Sequence, residues 1–256
     1  MIRLDAATVL LQWAVGGMLF TWVTTKGRML GIGYGWLMRI VYGVLALGGV
    51  YIGRRYQPVA VRDISGAAVV IMCVVGLVVS VRRRTVGPAG PKSFDPRIDL
   101  VTALVGIPAL ISGGWAAGGN HTLAIARMIV GAVFLGVVTD AMLLGHWYLV
   151  QPGLSRDPIK EQVRWMMIIW PIEAIVMLLP TGMVSVFNGT IKDGYNGTLG
   201  WFWIACVFTT IGLAIAAQAA LKEKAYSAVM AATGLTYLSI LSGFGMDLVA
   251  RAVLAG

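Results

Sequence analysis

Long apolar runs alternate with short polar connections along the chain, and eight of the runs are long enough to cross a bilayer. They cover 6–25, 32–53, 64–81, 100–119, 122–150, 163–187, 199–221 and 227–250. The third and fourth are the most diluted, by Gly76, Gly106, Pro108 and the Gly113-Gly114 pair. Lipid offers backbone groups no partner, so each run predicts a helix whose N–H and C=O groups bond within the segment. The expected fold is an all-α integral membrane protein, a bundle of about eight transmembrane helices in one polytopic domain over 1–256. The longest connection, Arg82 to Asp99, holds Pro88, Pro91 and Pro96 and reads as an irregular linker. Lys26 and Arg28 follow the first run, which lacks a small-residue cleavage site, so it predicts a retained helix rather than a signal peptide.

Composition narrows the class. With 58% hydrophobic residues and a mean hydropathy of +0.83, the chain is not an ordinary soluble domain. Its net charge of +9 sits mainly in the connections, where it sets topology and does not point to nucleic acid. Lys26, Arg28, Arg82, Arg83, Arg84, Lys92, Arg97, Arg156, Lys160, Arg164, Lys222 and Lys224 fall on one side. Arg3, Arg54, Arg55, Arg62, Lys192 and Arg251 fall on the other. The positive-inside rule makes the richer side cytoplasmic and places both termini on the non-cytoplasmic side, with Arg54-Arg55 as the main dissent. A bacterial cytoplasmic membrane is the expected location. Cys73 and Cys206 both lie in apolar runs, which supports neither a disulfide framework nor a CxxC metal site.

Weak internal similarity relates runs one to four to runs five to eight. Val15-Gly16-Gly17-Met18-Leu19-Phe20 pairs with Val130-Gly131-Ala132-Val133-Phe134-Leu135, and the match continues through Val23-Thr24 and Val138-Thr139. Ile71-Met72-Cys73-Val74 pairs with Ile204-Ala205-Cys206-Val207, and Leu110-Ile111-Ser112-Gly113 with Ile240-Leu241-Ser242-Gly243. These matches suggest a parallel 4+4 repeat of the kind found in transport folds. Its halves would be 1–98 and 99–256, or 1–119 and 120–256. Chance matching among Val, Gly, Leu and Ala is the competing explanation.

Two acids stand inside apolar runs, Asp140 in the fifth and Glu173 in the sixth, each about ten residues from the polar loop between them. At helical rise that is roughly 15 Å, half of a ~30 Å hydrocarbon layer, so the hairpin predicts similar depths. Acids at such depth usually face protein or water and mark function. Asp140 shares a helical stripe with Ala132 and Gly136, which would let a neighbouring helix approach closely. Glu173 follows Pro171 and precedes Pro180, whose missing N–H groups would free the carbonyls of Met167 and Val176. Protons or a small polar ligand are the expected cargo, with a helix-gluing role as the alternative.

The remaining candidates are weaker. His146 is six residues beyond Asp140, about 240° around the helix, and reads as an interfacial anchor or a proton carrier needing an intermediary. His121 lies at the other end of the same run, so an internal bis-histidine haem is disfavoured; no cluster has metal-site spacing. Arg39 and Arg127 sit near the ends of their runs and could snorkel to lipid headgroups. Asp247 and Arg251, four apart, predict a local ion pair. Asn120-His121-Thr122, Asn188-Gly189-Thr190 and Asn196-Gly197-Thr198 match the glycosylation sequon, but their Asn and Gly content favours turns. Neither a phosphate loop nor a nucleophile elbow is present.

Three functions compete on this reading. The first is a membrane subunit of a redox or proton-moving, respiratory-type assembly, whose acids handle protons or a quinone headgroup. The second is a proton-coupled secondary transporter, and the third a structural helix-packing subunit of a membrane complex. A self-sufficient enzyme is not expected. The expected partners are the bilayer, including anionic lipids, and other membrane proteins.

Overall fold

The computed structural model describes residues 5–86, 95–180 and 182–254. Its elements are α1 (Ala6–Thr25), α2 (Ile32–Tyr56), α3 (Ala60–Val86), α4 (Arg97–Ala116), α5 (His121–Val150), α6 (Asp157–Leu178), α7 (Val184–Phe187), α8 (Thr198–Ala220) and α9 (Tyr226–Leu254). No strand occurs among the described residues. Local chemistry sets several of these ends. Asp5 caps α1 by accepting from the Ala7 amide at 3.1 Å, and Asn120 caps α5 through Leu123 at 3.1 Å. Helical residues take both ends of the expected Arg82-to-Asp99 linker, whose middle, with Pro88 and Pro91, lies outside the described residues.

Seven helices, α1 to α5 with α8 and α9, are long and apolar enough to cross a membrane. Large apolar side chains such as Leu47, Ile71, Leu104, Phe208, Ile215 and Leu241 face outward from the bundle, where only lipid would make their exposure favourable. The chain is a multi-pass helical membrane bundle.

The sixth expected crossing differs. Its helix starts earlier, at Asp157, with Pro158 in the first turn, and carries Asp157, Lys160, Glu161 and Arg164 before its apolar part. These charges, with Glu173, keep α6 out of the apolar set. It also stops at Leu178 rather than near Phe187. Leu179 turns to an extended conformation with ψ 147°, as the residue before a proline prefers. Pro180 has no N–H to continue the ladder. Pro171 remains inside the helix.

The helices form two groups of four. In the first, α1 packs on α2, α2 on α3, α3 on α4 and α4 back on α1; in the second, α5, α6, α8 and α9 close in the same order. The groups join chiefly where α1 runs alongside α5. A Cβ added at Gly16 would stand 1.6 Å from the Ala132 carbonyl oxygen, and one at Gly136 would stand 2.3 Å from the Gly16 backbone. Backbone contact of this closeness requires glycine, and it identifies α1 as the helix admitted by the Ala132–Gly136 stripe. α6 runs antiparallel to α5: its early Gln162 reaches Thr24 beside Asp140, while its end meets Arg127.

Candidate functional site

Asp140 is wholly buried in α5, and its ligands come from the other four-helix group. The Tyr42 hydroxyl donates to Oδ1 at 2.6 Å, and the Tyr34 hydroxyl approaches Oδ2 at 3.3 Å, both from α2. Thr24 of α1 reaches Oδ2 at 3.1 Å. Its single hydroxyl proton is shared between that oxygen and the Phe20 carbonyl one turn back. Gln162 of α6 donates to Thr24 at 2.8 Å and extends the cluster. Beyond it, Lys26 and Glu161 pair at 2.7 Å on the more exposed end of the bundle. The arrangement suits a polar group that must be held without water, since each carboxylate oxygen has a hydroxyl in reach.

Glu173 belongs to a different network. It too is wholly buried, and neither carboxyl oxygen has a donor among the described residues. The groups acting on it are Asp247 and Arg251 of α9 and Arg127 of α5, with Asp247 within hydrogen-bonding reach. Arg251 Nε pairs with Asp247 Oδ1 at 2.8 Å, as their spacing of four predicts. The other arms of Arg251 reach the Arg127 carbonyl and the Met128 sulfur. With its amide oriented to satisfy its neighbours, Gln12 of α1 accepts from Arg251 at 2.6 Å and from the Ala132 amide at 3.1 Å.

The hairpin therefore does not set the two acids side by side. Asp140 is level with Gln162 through Thr24, whereas Glu173 lies eleven residues further along α6, roughly 16 Å by helical rise. The sequence estimate measured both acids from the loop but missed that α6 reaches that loop with two charged turns. Trp13 of α1 lies between the networks and donates to Thr139 at 2.8 Å.

The other candidates find definite partners. Arg39 does not snorkel to headgroups. It is 1% exposed, pairs with Asp99 Oδ1 at 2.6 Å and donates to the Gly76 carbonyl at 2.7 Å, because α3 and α4 enclose it. Arg127 is half-buried and donates to the Val176 carbonyl at 3.3 Å and to that of Leu179 at 2.5 Å. The acceptor freed by Pro180 thus belongs to an arginine rather than to a ligand. His146 is exposed, with the Tyr237 hydroxyl 3.4 Å from Nδ1. His121 stacks on Trp115 at the far end of α5, with centroids 4.1 Å apart.

Sequence reasoning missed Tyr34, Tyr42, Thr24 and Gln162 around Asp140, and Gln12 beside Arg251. Gln12 gave the clearest hint, as the single amide side chain within α1. Cys73 and Cys206 are free and buried, and no cluster among the described residues has metal-binding composition. No family model matches the chain, and no curated protein or solved structure does so either.

Proposed function

We propose that the chain is the membrane subunit of a proton-moving assembly of redox, respiratory type, in which buried acids pass protons. The observation that carries this reading is Glu173, an acid enclosed by helices with both oxygens lacking a donor among the described residues. Intramembrane acids in such settings serve proton relays more often than packing. Asp140 supplies a second station, and the Trp13–Thr139 bond lies between the two. A proton suits Asp140 better than a quinone headgroup, because the side chain is fully enclosed and faces Tyr42, Tyr34 and Thr24.

We read α6 as an eighth crossing, since it runs antiparallel along α5 despite its charged start. We also read the two groups as repeat halves. Gly16 aligns with Gly131 and touches Ala132, and Thr25 aligns with Asp140 while Thr24 touches it. With an even number of crossings both termini share one side, and the excess of basic residues in alternate connections supports the outer side of a bacterial cytoplasmic membrane for them.

The same junction favours a second reading, a proton-coupled secondary transporter. Both networks are completed by side chains from the two groups of helices, the position where repeat transporters place their sites. Gentle native purification with an absorption spectrum and mass spectrometry separates the two. Co-purifying cytochrome or other redox subunits support the assembly. A stable isolated chain free of them, which accumulates solute in proteoliposomes, overturns the assembly in favour of the transporter.

A further inference from the structure

Glu173 Oε1 and Oε2 and Asp247 Oδ2 are three buried carboxyl oxygens without a donor among the described residues. The two side chains face each other at hydrogen-bonding reach between α6 and α9. Ionised carboxylates only accept, so their contact is a bond only when one oxygen carries hydrogen. Two adjoining anions in a water-poor site repel strongly, and such pairs commonly hold a single proton between them.

Two guanidinium groups face the pair, so the acid–acid contact, and not charge balance, calls for one hydrogen. Arg251, also on α9, neutralises Asp247 through its 2.8 Å contact. From α5 comes Arg127, whose guanidinium is held by the Val176 and Leu179 carbonyls. From α1 comes only the neutral Gln12. α8, also packed on α6, carries no charged residue. The floor of the site is Gly131, where a Cβ would stand 2.1 Å from Arg251 Nη2 and 2.5 Å from Asp247 Oδ1. The network is thus pressed against the α5 backbone, with little room to rearrange.

We propose that Glu173 and Asp247 form one buried acid pair that binds a single proton between their carboxyl oxygens, with Arg251 holding Asp247 in place. This deepens the proton-handling reading by naming Asp247 as the partner acid, and it rests on that reading only for the site's use in transport. Uptake adds one H⁺ to a pair of carboxylates and leaves one carboxylic acid hydrogen-bonded to one carboxylate; release reverses the step. When either acid is replaced by its amide, Arg251 is left to pair with the survivor, which then stays ionised.

Infrared difference spectra of the purified full chain at neutral pH test the pair. The carbonyl-stretch band of a protonated carboxyl is expected in wild type minus Glu173→Gln and equally in wild type minus Asp247→Asn. A band in the first difference alone would mean that Glu173 is protonated independently, and a band in neither would mean that the site holds no proton. Either result overturns the pair. Should a variant fail to fold, heavy-carbon labelling of glutamate in the wild type replaces it, because Glu173 is the buried one of three glutamates. A labelled shift of the band is expected, and its absence contradicts sharing. Proton flux is read separately, so a pair with the expected spectrum in a chain that moves no protons would overturn the function and leave the site standing.

Discussion

The Tyr42 hydroxyl on α2 donates to Asp140 Oδ1 on α5 at 2.6 Å, so a wholly buried acid of one four-helix group is held by the other. Tyr42→Phe and Asp140→Asn should therefore be energetically coupled. A double-mutant cycle by reversible unfolding in mixed micelles is expected to give about 0.6–1.7 kcal/mol, the range for interhelical hydrogen bonds in membranes. A coupling near zero would mean that the bond contributes nothing to joining the groups.

The α1–α5 crossing sets a second expectation. Gly16→Val drives a side chain into the Ala132 backbone and should cost about 1–3 kcal/mol, the range for overpacking. Gly212→Ala, in α8, meets open space and should be neutral or stabilising by up to about 1 kcal/mol. Comparing the two unfolding midpoints distinguishes tight packing from general intolerance of substitution.

Arg39 and Asp99 join α2 to α4 inside the first group. Arg39→Met alone strands a buried carboxylate and should destabilise by about 3–5 kcal/mol. Adding Asp99→Leu removes that orphan and should recover most of the loss in the same unfolding assay. Equal destabilisation by the single and double variants would show that the ion pair itself carries the stability.

Outside the membrane-spanning segments, Asp193 organises the turn before α8. The Gly197 amide foremost, with those of Tyr195 and Leu199, holds its carboxyl below the ordinary range. Because the folded value is the lower one, the turn's stabilisation is complete above the unfolded value of about 3.9. It fades as pH falls through the folded value. Protection of the Gly197 and Leu199 amides from hydrogen exchange, taken relative to the intrinsic rate at each pH, should fall in acid, and Asp193→Asn should abolish that acid dependence.

Much of the fold was legible because apolar length alone sets a membrane helix. The runs 6–25 and 199–221 match α1 and α8 to within a residue. The small-residue stripe beside Asp140 correctly announced a close neighbour, though not that the neighbour was α1. α6 was misplaced because its first two turns are charged, and an apolar scan cannot see a helix begin in polar residues.

The partners of the site were hidden for a different reason. Nothing along the chain links Glu173 to Asp247, or Asp140 to Tyr34 and Tyr42; packing between distant helices brings them together. Two signals were nonetheless readable. Arg39 within an apolar run demanded a counter-charge, which Asp99 supplies. The Val176 carbonyl freed by Pro180 demanded a donor, which Arg127 supplies.

Proton flux across vesicles containing the chain with whatever native partners co-purify tests the role of Glu173 most directly. A pH-sensitive dye would follow collapse of an imposed gradient for wild type and for Glu173→Gln, each checked for intact fold. The expected result is a loss on the order of 100-fold in the variant, the scale for removing a positioned proton-transfer group. Equal rates in the two preparations would contradict a proton-moving role for Glu173.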